Sequence, residues 1–233
     1  IKEFTYHTGK YTHDSELTPI GIQQAIEAGK KYRENGRESI DLLCSSNLIR
    51  AIGTASHMGE NLRFYDEQNR KVHVLPHISE IGAYVTHGAR PLDETNNFFN
   101  LESNQIPLSM DFKYIDDAQS KEPCNMNTFM NHSAKDIVTD LHKQYPEKTE
   151  FNIMIVSHGG FLGRNLPRQP FGKYVFSHKI NNTEIWEMSY LFDIPTNNWI
   201  HKKKWANQQY DGGKGVSNNE YIEMFKHCGF ITE

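Results

Sequence analysis

The chain has 233 residues, enough for one sizeable core, and α/β folds of about 200–250 residues commonly form a single unit, so the length calls for no second domain. A net charge of −4 excludes the broad Lys/Arg surface that general nucleic-acid binding needs. Hydrophobic content of 37% against 23% charged residues excludes a disordered polymer. Cys44, Cys124 and Cys228 are widely spaced with no CxxC pair, which points to reduced, mostly buried thiols rather than a disulfide scaffold or zinc ribbon. With no apolar run long enough to cross a bilayer and no signal-peptide pattern, the expectation is a soluble cytoplasmic protein without a membrane partner.

Glu3 to Tyr6 reads as a first strand, ended by the turn-prone pair Thr8-Gly9; Lys10 to Leu17 is polar and irregular. Thr18-Pro19 supplies an N-cap and a first-turn proline, and Ile22, Ala25, Ile26 and Gly29 follow at helical spacing toward Tyr32, with Gly36 where the helix should stop. Ile40 to Cys44 is a compact apolar run, expected to be a buried strand. Ser45-Ser46-Asn47 offers caps for a helix that carries Leu48, Ile52, Ala55 and Gly59 on one face and Arg50 near its beginning. Val72 to Leu75 is a third short strand, closed by Pro76.

Between His77 and Met126 periodicity fades, and residues 76–126 are expected to form a long excursion over the active-site edge of the sheet. A helix opens at Asn127 or Thr128 and turns Phe129, Ile137, Val138, Leu141 and Tyr145 inward before Pro146. Phe151 to Val156 is nearly all apolar, the pattern of a central strand covered on both faces. Glu184 to Phe192 and Asn198 to Trp205 read as two strands joined through Ile194 to Asn197, and Asn218 to Cys228 as a last helix before Gly229. The run His201 to Lys204, between Trp199 and Trp205, is too small for a binding footprint and reads as a solvated strand or loop.

Strand, polar loop and helix alternate, which predicts an α/β fold with a largely parallel central sheet. In such folds ligands bind beyond the carboxyl ends of the strands. His7, Arg50 and His158 each fall just after a predicted strand, so topology alone would bring them to one edge. Gly159-Gly160 opens a helix after His158, and Arg50 adds a guanidinium suited to bidentate phosphate binding. An imidazole there can attack phosphorus, and Glu80 is the candidate proton donor to a leaving alcohol. His7, His158 and Glu80 also imitate a two-histidine, one-carboxylate metal site, but Arg50 would repel a cation and no HxH or HExxH spacing occurs.

Four ordered motifs then carry a resemblance. Leu17-Thr18-Pro19-Ile20-Gly21-Ile22-Gln23-Gln24-Ala25, Ser46-Asn47-Leu48-Ile49-Arg50 with Thr54-Ala55, Glu80-Ile81-Gly82, and Val156-Ser157-His158-Gly159 resemble the histidine phosphatase superfamily, phosphoglycerate mutase-like, over roughly residues 3 to 192. The resemblance implies a three-layer α/β sandwich, one domain across residues 1–233, and phosphomonoester hydrolysis through a phosphohistidine on His7. Arg50 and His158 would bind phosphate, Glu80 would be the acid, and Asn182 would lie near the pocket. No metal or cofactor is implied, and the substrate would be a phosphorylated small molecule or a phosphoprotein. At the opening, Tyr6 stands in place of the family's arginine and Thr8 in place of its glycine, while Lys10 occupies the position of a further arginine. Lysine lacks the guanidinium fork, so the alternative is a non-catalytic phospho-ligand or protein-interaction module of the same fold.

Overall fold

The computed structural model describes residues 14–80, 89–115, 123–165, 181–200, 207–210 and 212. The expected strand at 3–6, the basic run at 201–204 and the expected helix at 218–228 lie outside them. Helix α1, Pro19–Glu34, starts as its sequence dictates: Thr18 Oγ1 accepts the Gly21 N–H at 3.1 Å, and Gly36 takes a left-handed φ of 68° beyond the end.

Strand β1 runs Leu42–Ser46 and is buried throughout, two residues later than its apolar run suggested. Ile40 forms only an isolated bridge to Phe64, and the strand continues into serines because Ser45 and Ser46 pair in parallel with Val74 and Leu75, while the Ser45 hydroxyl donates to the Ser46 carbonyl at 2.9 Å. Helix α2, Ile49–Gly59, has Leu48 as its N-cap without a side-chain cap bond, so none of Ser45, Ser46 or Asn47 occupies the cap position expected of them. Strand β2 is Val72–Leu75, as read from the sequence.

The segment 76–126 is more than an excursion. It contains helix α3, Leu92–Asn100, a 3-10 turn at Glu102–Asn104, and strand β3, Met110–Asp111, which pairs in parallel with β2. Phe99 anchors α3 against Ile49, Ile52 and Val74. The single helix expected after residue 127 is two: α4, Met126–Asn131, capped by Asn125 Oδ1 on the Thr128 N–H at 3.0 Å, and α5, Ser133–Gln144. They part at His132, whose φ of −117° and ψ of −90° leave the helical region.

Strand β4, Ile153–Val156, pairs in parallel with β1, and the sheet order is β3-β2-β1-β4. Among the described residues β4 therefore closes one end of this sheet with half-buried side chains, and β1 and β2, not β4, are the strands buried throughout. Helix α6 is Gly159–Asn165. The segment 184–192 divides into β5, Ile185–Glu187, antiparallel to β8, Asn207–Tyr210, and β6, Leu191–Asp193, which forms the expected hairpin with β7, Asn198–Ile200. Trp199 packs against Phe192 with ring centroids 4.7 Å apart and donates Nε1–H to the Met130 carbonyl at 2.6 Å, so it is a packing residue.

Alternation along β1 produces three layers. Leu43 joins Ala25, Ala28, Ala55 and Met58 of α1 and α2 on one face, while Leu42 and Cys44 join Phe129, Ile137, Leu141 and Phe161 of α4, α5 and α6 on the other. The first layer is tight: a Cβ on Gly29 would sit 2.3 Å from the Met58 carbonyl oxygen. No helix among the described residues is long and apolar enough to cross a membrane.

His73 of β2 is buried, and neither ring nitrogen has a hydrogen-bond partner among the described residues; Nδ1 lies 3.6 Å from Asp111 Oδ2. Burial pushes the imidazole down to about 4 from 6.5, with Asp111 opposing. The unfolded chain takes up a proton near pH 6.5 and the folded chain only near pH 4, so stability should be constant above this window and fall as pH drops through it, by at most about 3 kcal/mol. Urea unfolding at pH 7.5 and pH 5, compared with His73→Leu, should show a loss on acidification that the variant lacks.

Candidate functional site

Chain order runs outward from β1 through β2 to β3, then returns to place β4 on the other side of β1. That reversal is a topological switch point, where the loops leaving two neighbouring strands diverge and open a crevice at their carboxyl ends. Ser46 ends β1 and His158 follows β4, and Ser46 Oγ lies 2.5 Å from His158 Nε2. Both side chains are buried. Ser46 Oγ also accepts the Leu48 N–H at 3.4 Å, so one hydroxyl joins the start of α2 to the histidine.

The β2 loop is sewn to the same edge. Ser157 Oγ donates to the Ile78 carbonyl at 2.7 Å, and the Ser79 hydroxyl donates to Asn47 Oδ1. Glu80, next in sequence, is close enough to Arg50 for its charge to hold the guanidinium in the protonated form. Arg50 sits in the first turn of α2 with 23% of its side chain exposed. Burial is the larger influence and disfavours its charge, while Asp14 and Glu80 oppose it. An arginine stays protonated under such terms, so the edge carries a fixed positive charge flanked by two carboxylates.

Asp14 is fully buried and left-handed, with φ 54°. Its Oδ1 accepts the Ile49 N–H at 2.9 Å and lies 3.9 Å from Arg50 Nη1, and its carbonyl accepts from Arg90 Nη2 at 3.4 Å. Arg90 stacks its guanidinium 5.2 Å from the centre of the Phe98 ring on α3. Burial raises the Asp14 carboxyl, opposed by the Ile49 N–H and by the two arginines.

Of the residues expected from sequence, Arg50, Glu80 and His158 gather at this edge. Asn182 is exposed and donates its amide to Gln24 Oε1 of α1 at 3.3 Å. His7 and Lys10 lie outside the described residues. Among the described residues no cluster of three His, Cys, Asp or Glu side chains could hold a metal ion. Ser46, Asp14 and Arg90 were missed as partners. Ser46 carried a usable signal, since it begins the Ser-x-Leu-x-Arg run, whereas Asp14 sits in an irregular polar stretch and Arg90 in a segment without periodicity.

The sequence profile of the histidine phosphatase superfamily (branch 1) matches residues 6–185. The chain belongs to that superfamily. Two solved structures are similar to it. An ecdysone phosphate phosphatase from Bombix mori, in complex with tungstate, is 21% identical with a TM-score of 0.44, over 71% of this chain and 64% of its own. A phosphoserine phosphatase from Entamoeba histolytica, in complex with 3-phosphoglyceric acid, is 26% identical with a TM-score of 0.32, over 65% of this chain and 66% of its own. The chain thus spans just under two thirds of the length of each. No curated protein sequence matches it significantly.

The serine at the switch point can be tested apart from any activity. Ser46→Ala leaves a buried imidazole nitrogen and the Leu48 N–H without their shared partner, an expected cost of about 1–3 kcal/mol. Ser45→Ala removes a hydroxyl whose bond is to the adjacent carbonyl and should cost less. Urea denaturation of the two variants checks that order.

Proposed function

We propose that the chain is a metal-independent phosphomonoester hydrolase working through a phosphohistidine on His7. The observation that supports this reading is the meeting of Arg50, Glu80 and His158 at the carboxyl edge of a parallel sheet in a chain of the histidine phosphatase superfamily. The His7 imidazole bonds to phosphorus as the bond to the leaving oxygen breaks, and Glu80 gives that oxygen its proton. Glu80 then takes a proton from the water that attacks phosphorus, which releases inorganic phosphate and restores both groups. Arg50, His158, Lys10 and Asn182 bind the phosphoryl oxygens. The donors act on charge as it develops, which is where they lower the barrier most.

The substrate is a phosphorylated small molecule or a phosphoprotein. Residues 1–233 form one histidine phosphatase-like domain in this reading. Free Cys44 and Cys124 suit a reducing, cytoplasmic setting.

A second reading rests on a specific feature, Tyr6 and Thr8 in the opening motif: a phospho-ligand-binding or interaction module that retains the pocket without turnover. Losing one phosphate donor from such a site costs about 3–4 kcal/mol of transition-state stabilisation, or roughly a hundredfold to a thousandfold in rate. Hydrolysis of a generic aryl phosphate separates the two readings. The intact chain should release phosphate and His7→Ala should not; equal rates sink the hydrolase. Tyr6→Arg should raise kcat/KM by about a hundredfold. Phosphate binding with no release from either the intact chain or Tyr6→Arg would select the binding module.

A further inference from the structure

A carboxylate removed from water is unfavourable unless charge or hydrogen bonds compensate it. Asp14 is 0% exposed, in a left-handed backbone conformation, with Oδ1 between the Ile49 N–H and the Arg50 guanidinium and with Oδ2 lacking a hydrogen-bond partner among the described residues. Capping alone does not call for this arrangement. Asparagine or serine would accept the Ile49 N–H at a lower desolvation cost. The negative charge adds something a neutral cap cannot: an attraction that restricts where Arg50 points, and a second one on Arg90, whose Nη2 reaches the Asp14 carbonyl.

The sequence context makes the tether effective. Leu48 gives α2 no side-chain cap, so the first turn that carries Arg50 is held from outside the helix, by Asp14 on Ile49 and by Ser46 on Leu48. The same Asp14 oxygen therefore fixes the backbone at Ile49 and faces the side chain of the next residue. A guanidinium whose rotamers are restricted before ligand arrives loses less entropy on binding, which raises affinity without a new contact.

From this geometry we infer that Asp14 is a positioning residue of the phosphate pocket: its charge orients Arg50 toward the bound phosphoryl group and draws Arg90 to the same edge. The inference rests on the reading of Arg50 as a phosphate ligand and adds a residue that acts through it.

Asp14→Asn keeps the shape and an acceptor for the Ile49 N–H while removing the charge; Asp14→Ala removes both. In the 233-residue chain, three quantities separate positioning from capping: the urea unfolding midpoint, the affinity for inorganic phosphate by calorimetry, and the water-exchange protection of the Arg50 Nε–H in nitrogen-15 NMR, assigned with Arg50→Lys. Asp14→Asn should unfold near the wild-type midpoint yet lose Arg50 protection and bind phosphate about tenfold more weakly. On an aryl phosphate its KM should rise more than its kcat falls. Asp14→Ala should lose stability as well. Unchanged Arg50 protection and unchanged phosphate affinity in Asp14→Asn would overturn the inference and leave Asp14 a cap, as would a loss of affinity that only tracks lost stability. If Arg50 protection and phosphate affinity depend on the Asp14 charge while no aryl phosphate is hydrolysed, the catalytic reading fails and the positioning role stands. A wild-type chain that binds no phosphate overturns both.

Discussion

Everything at the candidate site depends on β1 being buried on both faces. Leu43 faces the α1–α2 layer while Leu42 and Cys44 face the α4–α6 layer, so neither layer can shift without opening a cavity against this strand. Parallel pairing to β2 through Leu43–Ser46 and to β4 through Leu42–Ser45 then sets where its carboxyl end lies relative to both neighbours. Ser46, Asn47 and the first turn of α2 are delivered from that end. A parallel strand pinned on four sides makes a rigid platform, which is why short, directional contacts such as Ser46 to His158 can persist there.

The electrostatics of the edge follow from that rigidity. Arg50 is partly buried, and desolvation works against its charge more strongly than any other influence on it; Asp14 and Glu80 push back. The two carboxylates differ in kind. Asp14 is sealed from water and bonded to the backbone of α2, so it is a fixed counter-charge. Glu80 follows a serine tied to Asn47 and is half-buried, less removed from water than Asp14.

Much of the architecture was legible because apolar period and cap chemistry agreed. Thr18-Pro19 opened α1, Val72 to Leu75 formed β2 and the Asn198 strand formed a hairpin, each from local signals that packing had no reason to override. Misreadings arose where tertiary contacts supplied what the local sequence lacked. Leu48 is a poor cap, yet α2 begins after it because Asp14, 35 positions upstream, accepts the Ile49 N–H. Helix α3 has few apolar residues and depends on Phe99 reaching Ile49, Ile52 and Val74. Met110–Asp111 is too short to read as a strand and exists because β2 offers an open edge. The placement of Arg50 and His158 at one edge was legible from their positions after predicted strands, whereas the contact of Asp14 with this edge was hidden because it is set by elements far from it in sequence.

The departure at Tyr6 has a different meaning in this setting. Among the described residues, the contacts that assemble the edge join Ser46 to His158, Ser79 to Asn47, Ser157 to Ile78 and Asp14 to Ile49. In the proposed reading, a phosphoryl group that meets Tyr6 where the resemblance expects an arginine draws more of its stabilisation from Arg50, which gives weight to the orientation of that guanidinium beside the buried charge of Asp14.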